Sequence, residues 1–395
     1  TFPRFPSDTS APFMGNLAEA LSSLGHKVFV LVPYDSKFQM KVKRNYKLVT
    51  FRYAFPDSFH ILGYSREFEG SKNLRLITYI LAPFMFFFGF IALIQLVKKE
   101  KIDVVSSHWI IPSGFITALA TLFTRTPHIV TIPGSDIYLG GRNILFRLMI
   151  SFAAKRAAFV LSDNAAYMSE LLSLGIKPKR REIIVYGADA KKFVPTKKDG
   201  RILKRLGLVK KNPIILAVGR LVEKKGFIYL VRALPMVLKK FPNAKLVIVG
   251  DGEQRSILEQ EIKRLGISKS VILTGTISYS ELSKYYNLGD IFVMPSTRDE
   301  QGNIDASPVA MMEAMACGTP VVATEFSGSK ELVVEGKTGF LVKEKDSQAI
   351  SQGIIKLLSQ NPLSMKKKVR KMAVENFSTS STARKYTEIF ALAKK

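Results

Sequence analysis

Short apolar runs bounded by polar turns recur along the chain, and the stretches between them carry apolar residues at helical spacing. The runs predict strands over 27–32, 102–106, 128–132, 159–162 and 182–186 in the first half. A second series is predicted over 213–218, 244–249, 271–273, 290–294 and 321–323. Between the strands, Leu17, Leu21 and Leu24 mark a helix over 13–24 closed by Gly25, and further helices are expected up to 174, up to 240 and over 282–288. Three helices, over 346–359, 363–376 and 380–393, finish the chain. Strands alternating with helices predict an α/β chain with two Rossmann-like domains. The expected division is 1–195, 196–378 and a last helix at 379–395. The stretch 294–322 has the sharpest local pattern. A strand stops at Pro295-Ser296, and a polar loop follows. An apolar helix over 309–316 begins after Pro308, which a first helical turn tolerates, and Gly318 ends it.

Charge changes the picture next. Lys and Arg number 59 against 32 Asp and Glu, a formal net charge of +27, in a chain of 395 residues. Such a balance points to anionic partners: nucleic acid, anionic lipid or a phosphorylated substrate. The basic residues are not interleaved with aromatic residues in a recognisable nucleic-acid module, so no nucleic acid is expected as partner. The lone cysteine, Cys317, leaves no internal disulfide and fits a reducing, cytoplasmic compartment. Four scattered histidines and no second cysteine argue against a structural metal site. The opening Thr1-Phe2-Pro3-Arg4 reads as loop. The expectation is therefore that the natural chain starts earlier, with a first strand ahead of this one.

Two segments bear on membranes. Lys37, Lys41, Lys43, Arg44 and Lys47 form an acid-free basic run, which is either a solvated loop or a contact for anionic headgroups. Residues 74–97 carry one charge, Arg75, and include Phe84, Phe86, Phe87, Phe88 and Phe90. Length alone permits a span. A span would put the two halves of one sheet on opposite sides of a bilayer. The segment therefore reads as one or two helices, broken near Pro83, that cover the sheet and are either buried or dipped into a membrane surface. The expected location is cytoplasmic, peripheral on the inner face of the cell membrane.

The chemistry-bearing residues cluster at strand ends. Asp305 and Glu313 stand with seven residues between them, and Glu313, inside an apolar helix, needs a partner. Gly219-Arg220-Leu221 through Lys225-Gly226 is a strand end, a basic turn and a helix start. That combination suits a diphosphate. Gly250-Asp251-Gly252 and Thr274-Gly275-Thr276 are further turns after strands. His108-Trp109 and Pro133-Gly134-Ser135-Asp136 stand at the carboxyl ends of strands in the first half, where open α/β sheets bind ligands. No D-x-D sequence occurs.

The run Glu313-Ala314-Met315-Ala316-Cys317-Gly318-Thr319-Pro320-Val321-Val322, with Asp305 ahead of it, resembles the donor-site signature of retaining glycosyltransferases of family 4. The family's first acid is usually Glu. The resemblance extends to the Gly219-Arg220-Leu221…Lys225-Gly226 clamp, to the His108-Trp109 segment and to the turn Tyr186-Gly187-Ala188-Asp189…Phe193-Val194-Pro195. It implies a GT-B fold, with two Rossmann-like domains whose parallel sheets face across a cleft. It also implies transfer of a hexose-type sugar from a nucleoside-diphosphate-sugar, without a further cofactor and without a bound metal. On this resemblance Arg220 and Lys225 neutralise the diphosphate, and Asp305 orients the sugar. Gly219, Gly250, Thr276, Ser307, Pro308, Val309 and Glu313 line the donor, with Glu313 on the ribose. His108, Ser135 and Asp136 lie on the acceptor side. The expected acceptor is a lipid or lipid-linked glycan at an anionic membrane surface. Two other classes stay open: a GT-B synthase or phosphorylase on a soluble sugar or sugar phosphate, and a basic nucleic-acid-binding protein.

Overall fold

A computed structural model describes residues 2–5, 8, 10–63, 68–69, 73–74, 76–300, 308–325 and 328–394. The chain divides into two compact units, Thr1–Val185 with Thr382–Lys395, and Tyr186–Ser381. Residues 186–195 thus group with the second unit.

Unit 1 begins with α1 (Pro12–Ser23), β1 (Phe29–Pro33) and β2 (Lys47–Phe51). After a short hairpin of β3 (Phe68–Glu69) and β4 (Asn73–Leu74) comes the long helix α2 (Leu76–Glu100). There follow β5 (Val105–His108), α3 (Phe115–Thr124), β6 (His128–Ile132), α4 (Leu139–Arg142), α5 (Ile144–Arg156), β7 (Phe159–Ser162), α6 (Ala165–Ser173) and β8 (Arg181–Ile183). Strands β5-β6-β7-β8 form one parallel sheet in that order, and β1 pairs with β2 in parallel. Every residue of β6 and β7 is buried, as a strand covered by helices on both faces requires.

Helix α2 is continuous through Pro83 and does not break there. The bond lost at Pro83 is the one to the carbonyl of Tyr79. Tyr79 and Ile80 are exposed, so that carbonyl lies on the solvent-facing part of the helix, where its loss of a partner is cheap, and the helix runs on. One stripe of α2, Leu81, Met85, Gly89, Leu93 and Val97, faces the core, with Gly89 held against the Phe51 ring and Leu93 and Val97 clustered with Ile116 and Ala120. One stripe thus packs on the protein, and by length and composition α2 is also apolar enough to cross a membrane.

Unit 2 contains α7 (Gly200–Arg205), β9 (Ile214–Val218), α8 (Phe227–Lys240), β10 (Lys245–Val249), α9 (Arg255–Arg264), β11 (Val271–Leu273), α10 (Leu282–Tyr286) and β12 (Ile291–Met294). Then come α11 (Val309–Ala316), β13 (Val321–Thr324), β14 (Gly339–Val342), α12 (Ser347–Ser359) and α13 (Pro362–Phe377). The sheet is six-stranded and wholly parallel, in the order β11-β10-β9-β12-β13-β14. Its central strands are Ile, Leu and Val runs, buried on both faces. Gly353 brings α12 down onto the sheet, since a Cβ there would stand 2.8 Å from a Val342 methyl. The last helix, α14 (Thr379–Ala393), packs from Thr382 onward on unit 1. There Tyr386 Oη lies 2.9 Å from Thr131 Oγ1, and Thr387 Oγ1 lies 2.8 Å from His26 Nε2, so His26 is a packing residue of a turn.

Candidate functional site

In unit 2, three turns at the carboxyl edge of the sheet are laced together by backbone hydrogen bonds. Gly219 N–H donates to Val249 O (2.9 Å), Leu221 N–H to Asp251 O (2.9 Å), and Gly250 N–H to Gly275 O (3.0 Å). The sequence permits this closeness only through glycine. At Gly250, φ is +141°, and a Cβ would stand 1.9 Å from Gly219 O. These bonds bring Gly219, Arg220, Gly250 and Thr276 to one edge. Lys225 joins them, its stem lying along Gly219 with Cε 3.2 Å from where a Cβ would be. Arg220 and Thr276 are exposed, and Lys225 is half-buried. Helix α8 starts right after Lys225, at Gly226, so its first N–H groups point to the same edge. Thr297 N–H donates to Lys224 O (2.9 Å), which docks the loop after β12 onto this turn.

Helix α11 joins two parallel strands and therefore starts at the same edge, with Pro308 as its cap and Val309 as its first residue. Asp305 and Ser307 lie outside the described residues. The chain leading to them is held by two acids. Glu344 accepts from Thr297 Oγ1 (3.1 Å) and Arg298 N–H (3.2 Å), and Glu223 accepts from Glu300 N–H (3.0 Å).

Glu313 sits one turn into α11 and is only 4% exposed. The Tyr286 hydroxyl donates to its Oε2 at 2.8 Å, and Tyr279 stands nearby, also favouring the ionised carboxylate. Burial pushes the Glu313 carboxyl up to about 7, against the pull of Tyr286, the nearby charge of Lys192, and Tyr279. Burial likewise pushes Lys192 down to about 8, against the attraction of Glu313 and Asp189. Lys192 Nζ stands 3.1 Å from the centroid of the Tyr279 ring, a close cation–π contact. The turn bearing Lys192 is tied down by Arg370 of α13, whose guanidinium donates to the carbonyls of Ala190, Phe193 and Ala316. Arg370 thus binds that turn to the end of α11. Lys192, Tyr279, Tyr286 and Arg370 do not stand out in the sequence. The only signal is that Lys192 lies inside the Asp189…Phe193 turn. Cys317 is buried, and its thiol is pushed up to about 12 by burial, which leaves it unreactive. Among the described residues no group of three or more His, Cys, Asp or Glu side chains could hold a metal ion.

In unit 1, His108 and Asp136 lie at the carboxyl edge of β5 and β6. The His108 ring stacks on Tyr386 (6.1 Å between centroids), and burial pushes it down to about 3, so it is neutral at physiological pH. Asp136 turns inward. Its Oδ2 accepts from the N–H groups of Ile110 (2.7 Å) and Ile111 (3.3 Å), while Oδ1 is buried without a hydrogen-bond partner among the described residues. Burial raises this carboxyl to about 7. Asp136 thereby shapes the turn that starts with Trp109, itself held at φ 69°. The Trp109 indole lies over Gly134, where a Cβ would be 3.2 Å from Nε1. The side chain of Ser135 lies outside the described residues.

The same edge carries an apolar collar. Helices α2, α3 and α5 each lead into a strand of the parallel sheet, so all three begin at its carboxyl edge. Phe86 lies against Phe115 (6.0 Å) and Phe115 against Phe152 (5.8 Å), near the start of α3 but well inside α2 and α5. The first turns of α2 and α5 therefore project past α3, by roughly 10–15 Å at 1.5 Å per residue. They present Leu76 (80% exposed), Tyr79 and Ile80, and Ile144, Leu145 and Leu148, while Phe84 and Phe87 are exposed further along α2. Exposed Lys37, Lys41 and Lys43 stand in the loop that leaves the carboxyl end of β1. Arg44 is folded back, donating to Gln39 O and Val42 O.

Comparison with known proteins places these features. Residues 199–376 match the model for glycosyl transferases group 1, and residues 9–187 match that for the glycosyl transferase 4-like domain. An uncharacterized glycosyltransferase of Methanocaldococcus jannaschii is 27% identical over 306 residues, 74% of this chain and 76% of that protein. An Escherichia coli UDP-Gal:alpha-D-GlcNAc-diphosphoundecaprenol alpha-1,3-galactosyltransferase is 25% identical over 76% of this chain and 78% of its own length. The crystal structure of Anabaena HepE in complex with UDP and glucose superposes with a TM-score of 0.74 at 18% identity, over 99% of this chain and 98% of that one. That likeness establishes the GT-B fold.

Proposed function

The chain belongs to the glycosyl transferases of group 1, and on that premise we propose that it moves a hexose-type sugar from a nucleoside-diphosphate-sugar, held by unit 2, to a lipid or lipid-linked glycan met by unit 1 at a membrane surface. In this reading the diphosphate lies over the turn of Gly219 and Gly250. Arg220, Lys225 and the N–H groups at the start of α8 offset its charge, including the charge that grows as it leaves. Glu313 accepts from the ribose hydroxyls, and Thr276 flanks the base. Asp305, Ser307 and the start of α11 orient the sugar. Transfer proceeds with retention, the leaving phosphate taking the acceptor proton. No divalent metal enters this scheme, because the basic turn supplies the positive charge. His108 and Asp136 act on the acceptor side, Asp136 by holding the backbone at Ile110 and Ile111.

The observation that carries the acceptor assignment is the set of exposed apolar residues on α2 and α5, together with the exposed lysines in the loop after β1. Clustered exposed apolar surface marks an interaction site. Exposed phenyl rings and ammonium groups suit an anionic bilayer, through insertion and through headgroup attraction of about 1 kcal/mol per basic residue. The relatives include one whose acceptor is a diphosphoundecaprenol, an anionic lipid.

Co-sedimentation with vesicles tests the assignment. The full chain is expected to bind phosphatidylglycerol vesicles and not phosphatidylcholine vesicles at low salt. Reversing Lys41 and Lys43 to Glu should weaken binding at least about tenfold. Changing Phe84 and Phe87 to Ser should remove the part that survives high salt. No binding to anionic vesicles at low salt would point instead to a soluble sugar acceptor.

A further inference from the structure

A carboxylate as deeply buried as that of Glu313 is costly to ionise unless its surroundings offset the lost hydration. Three groups do so, and they come from two segments remote from α11 in sequence. Tyr286, fully buried on α10, donates to Oε2 at 2.8 Å. Tyr279, in the loop before α10, stands near the carboxyl and carries the Lys192 ammonium against its ring. Phe193, buried beneath, meets both tyrosine rings edge-on at 5.7 and 5.6 Å and holds them apart. Among the described residues, the remaining charged or titratable groups facing Glu313 are Asp189, on the same turn as Lys192, and Cys317, one turn along α11. Arg370 spends its donors on backbone carbonyls of that turn and of Ala316, so it fixes the frame.

An ionised carboxylate accepts at about four lone-pair positions. Among the described residues Tyr286 fills one of them, and Tyr279 stands near the carboxyl. At least two are left, enough for the vicinal hydroxyl donors of a ribose. We propose that Tyr286, Tyr279 and Lys192 are positioning residues that keep Glu313 ionised and turned so that two of its open acceptor positions meet the ribose 2′- and 3′-hydroxyls. The inference rests on the donor reading given above. It adds a consequence that the reading alone lacks: discrimination between ribose and deoxyribose depends on pH and is set by residues that do not touch the nucleotide. The protonated carboxyl loses acceptor capacity, so discrimination falls as pH drops through about 7, where Glu313 titrates, and is full above it.

Calorimetric titration of the full chain with UDP and 2′-deoxy-UDP, and in parallel with GDP and 2′-deoxy-GDP, between pH 5.5 and 8.5 tests this. The ratio of ribo to deoxy affinity is the readout, because it cancels the titration of the diphosphate itself. For the pair that binds, the ratio should be about tenfold or more at pH 8.5, the worth of a hydrogen bond to a charged acceptor, and approach one at pH 5.5. Tyr286→Phe removes a donor that holds Glu313 ionised, so it should move the midpoint of that curve upward. Lys192→Met, at a half-buried position whose loss the fold tolerates, should move it the same way. Both variants should melt close to the wild-type protein. An unchanged ratio and midpoint in both variants, with nucleotide still bound, would reduce the cluster to packing and overturn the inference. Failure of wild type to bind either diphosphate would instead remove the donor reading, and this inference with it.

Discussion

Replacing Arg220 or Lys225 by alanine is expected to lower sugar transfer about 10²–10³-fold while the melting temperature stays near that of wild type. The size follows from losing one charge-assisted contact to a leaving group in a preorganised site. The sparing of the fold follows from where the two residues sit. Arg220 is exposed, and Lys225 contributes its stem to a glycine turn that backbone hydrogen bonds already hold closed. Steady-state kinetics beside calorimetry separates the two quantities. Turnover near wild type in either variant would show that the diphosphate does not lie on this turn.

Gly250→Ala should damage the same site by a different route. The new methyl group would stand 1.9 Å from Gly219 O, at a φ of +141° that L-residues rarely adopt. The carbonyl that blocks it is backbone and cannot swing aside, so the turns at 219–221 and 250–254 must part. Backbone strain of this kind costs about 3 kcal/mol, enough to lower the melting temperature of a unit this size by roughly 6–12 °C. Nucleotide binding should fall with it, because the lacing of the three turns is lost. A variant that melts and binds nucleotide like wild type would mean that the turn is looser than its geometry states.

Much of this arrangement was legible in the amino-acid sequence, and the reasons differ by element. The helix 309–316 stood out because a proline, an apolar run and a glycine mark its two ends, and those signals are local. The basic turn at Arg220 and Lys225 was legible for the same reason. Pro83 misled because its cost depends on whether the carbonyl it leaves unpaired faces water, and exposure cannot be read from the proline itself. The partners of Glu313 were hidden more deeply. Its need for partners followed from an acid in an apolar helix. Their identity did not follow, because two tyrosines and a lysine on other segments reach it only through the packing of α10 and of the turn clamped by Arg370. The collar was half legible. The phenylalanines at 84–90 were plain, yet Ile144, Leu145 and Leu148 joined them only once the parallel sheet aligned the starts of α2 and α5.

The central claim is that unit 2 holds a nucleoside-diphosphate-sugar on the turn bearing Arg220. The most direct test is a thermal-shift titration of the full chain with UDP-, GDP- and ADP-sugars, run side by side on wild type and Arg220→Ala. At about one hundred times its dissociation constant the true donor should stabilise the wild-type protein by about 2.7 kcal/mol. That shift should be largely absent in Arg220→Ala at the same concentrations. Millimolar nucleotide-sugars that leave the wild-type melting curve unmoved, or that shift both proteins equally, would contradict the account.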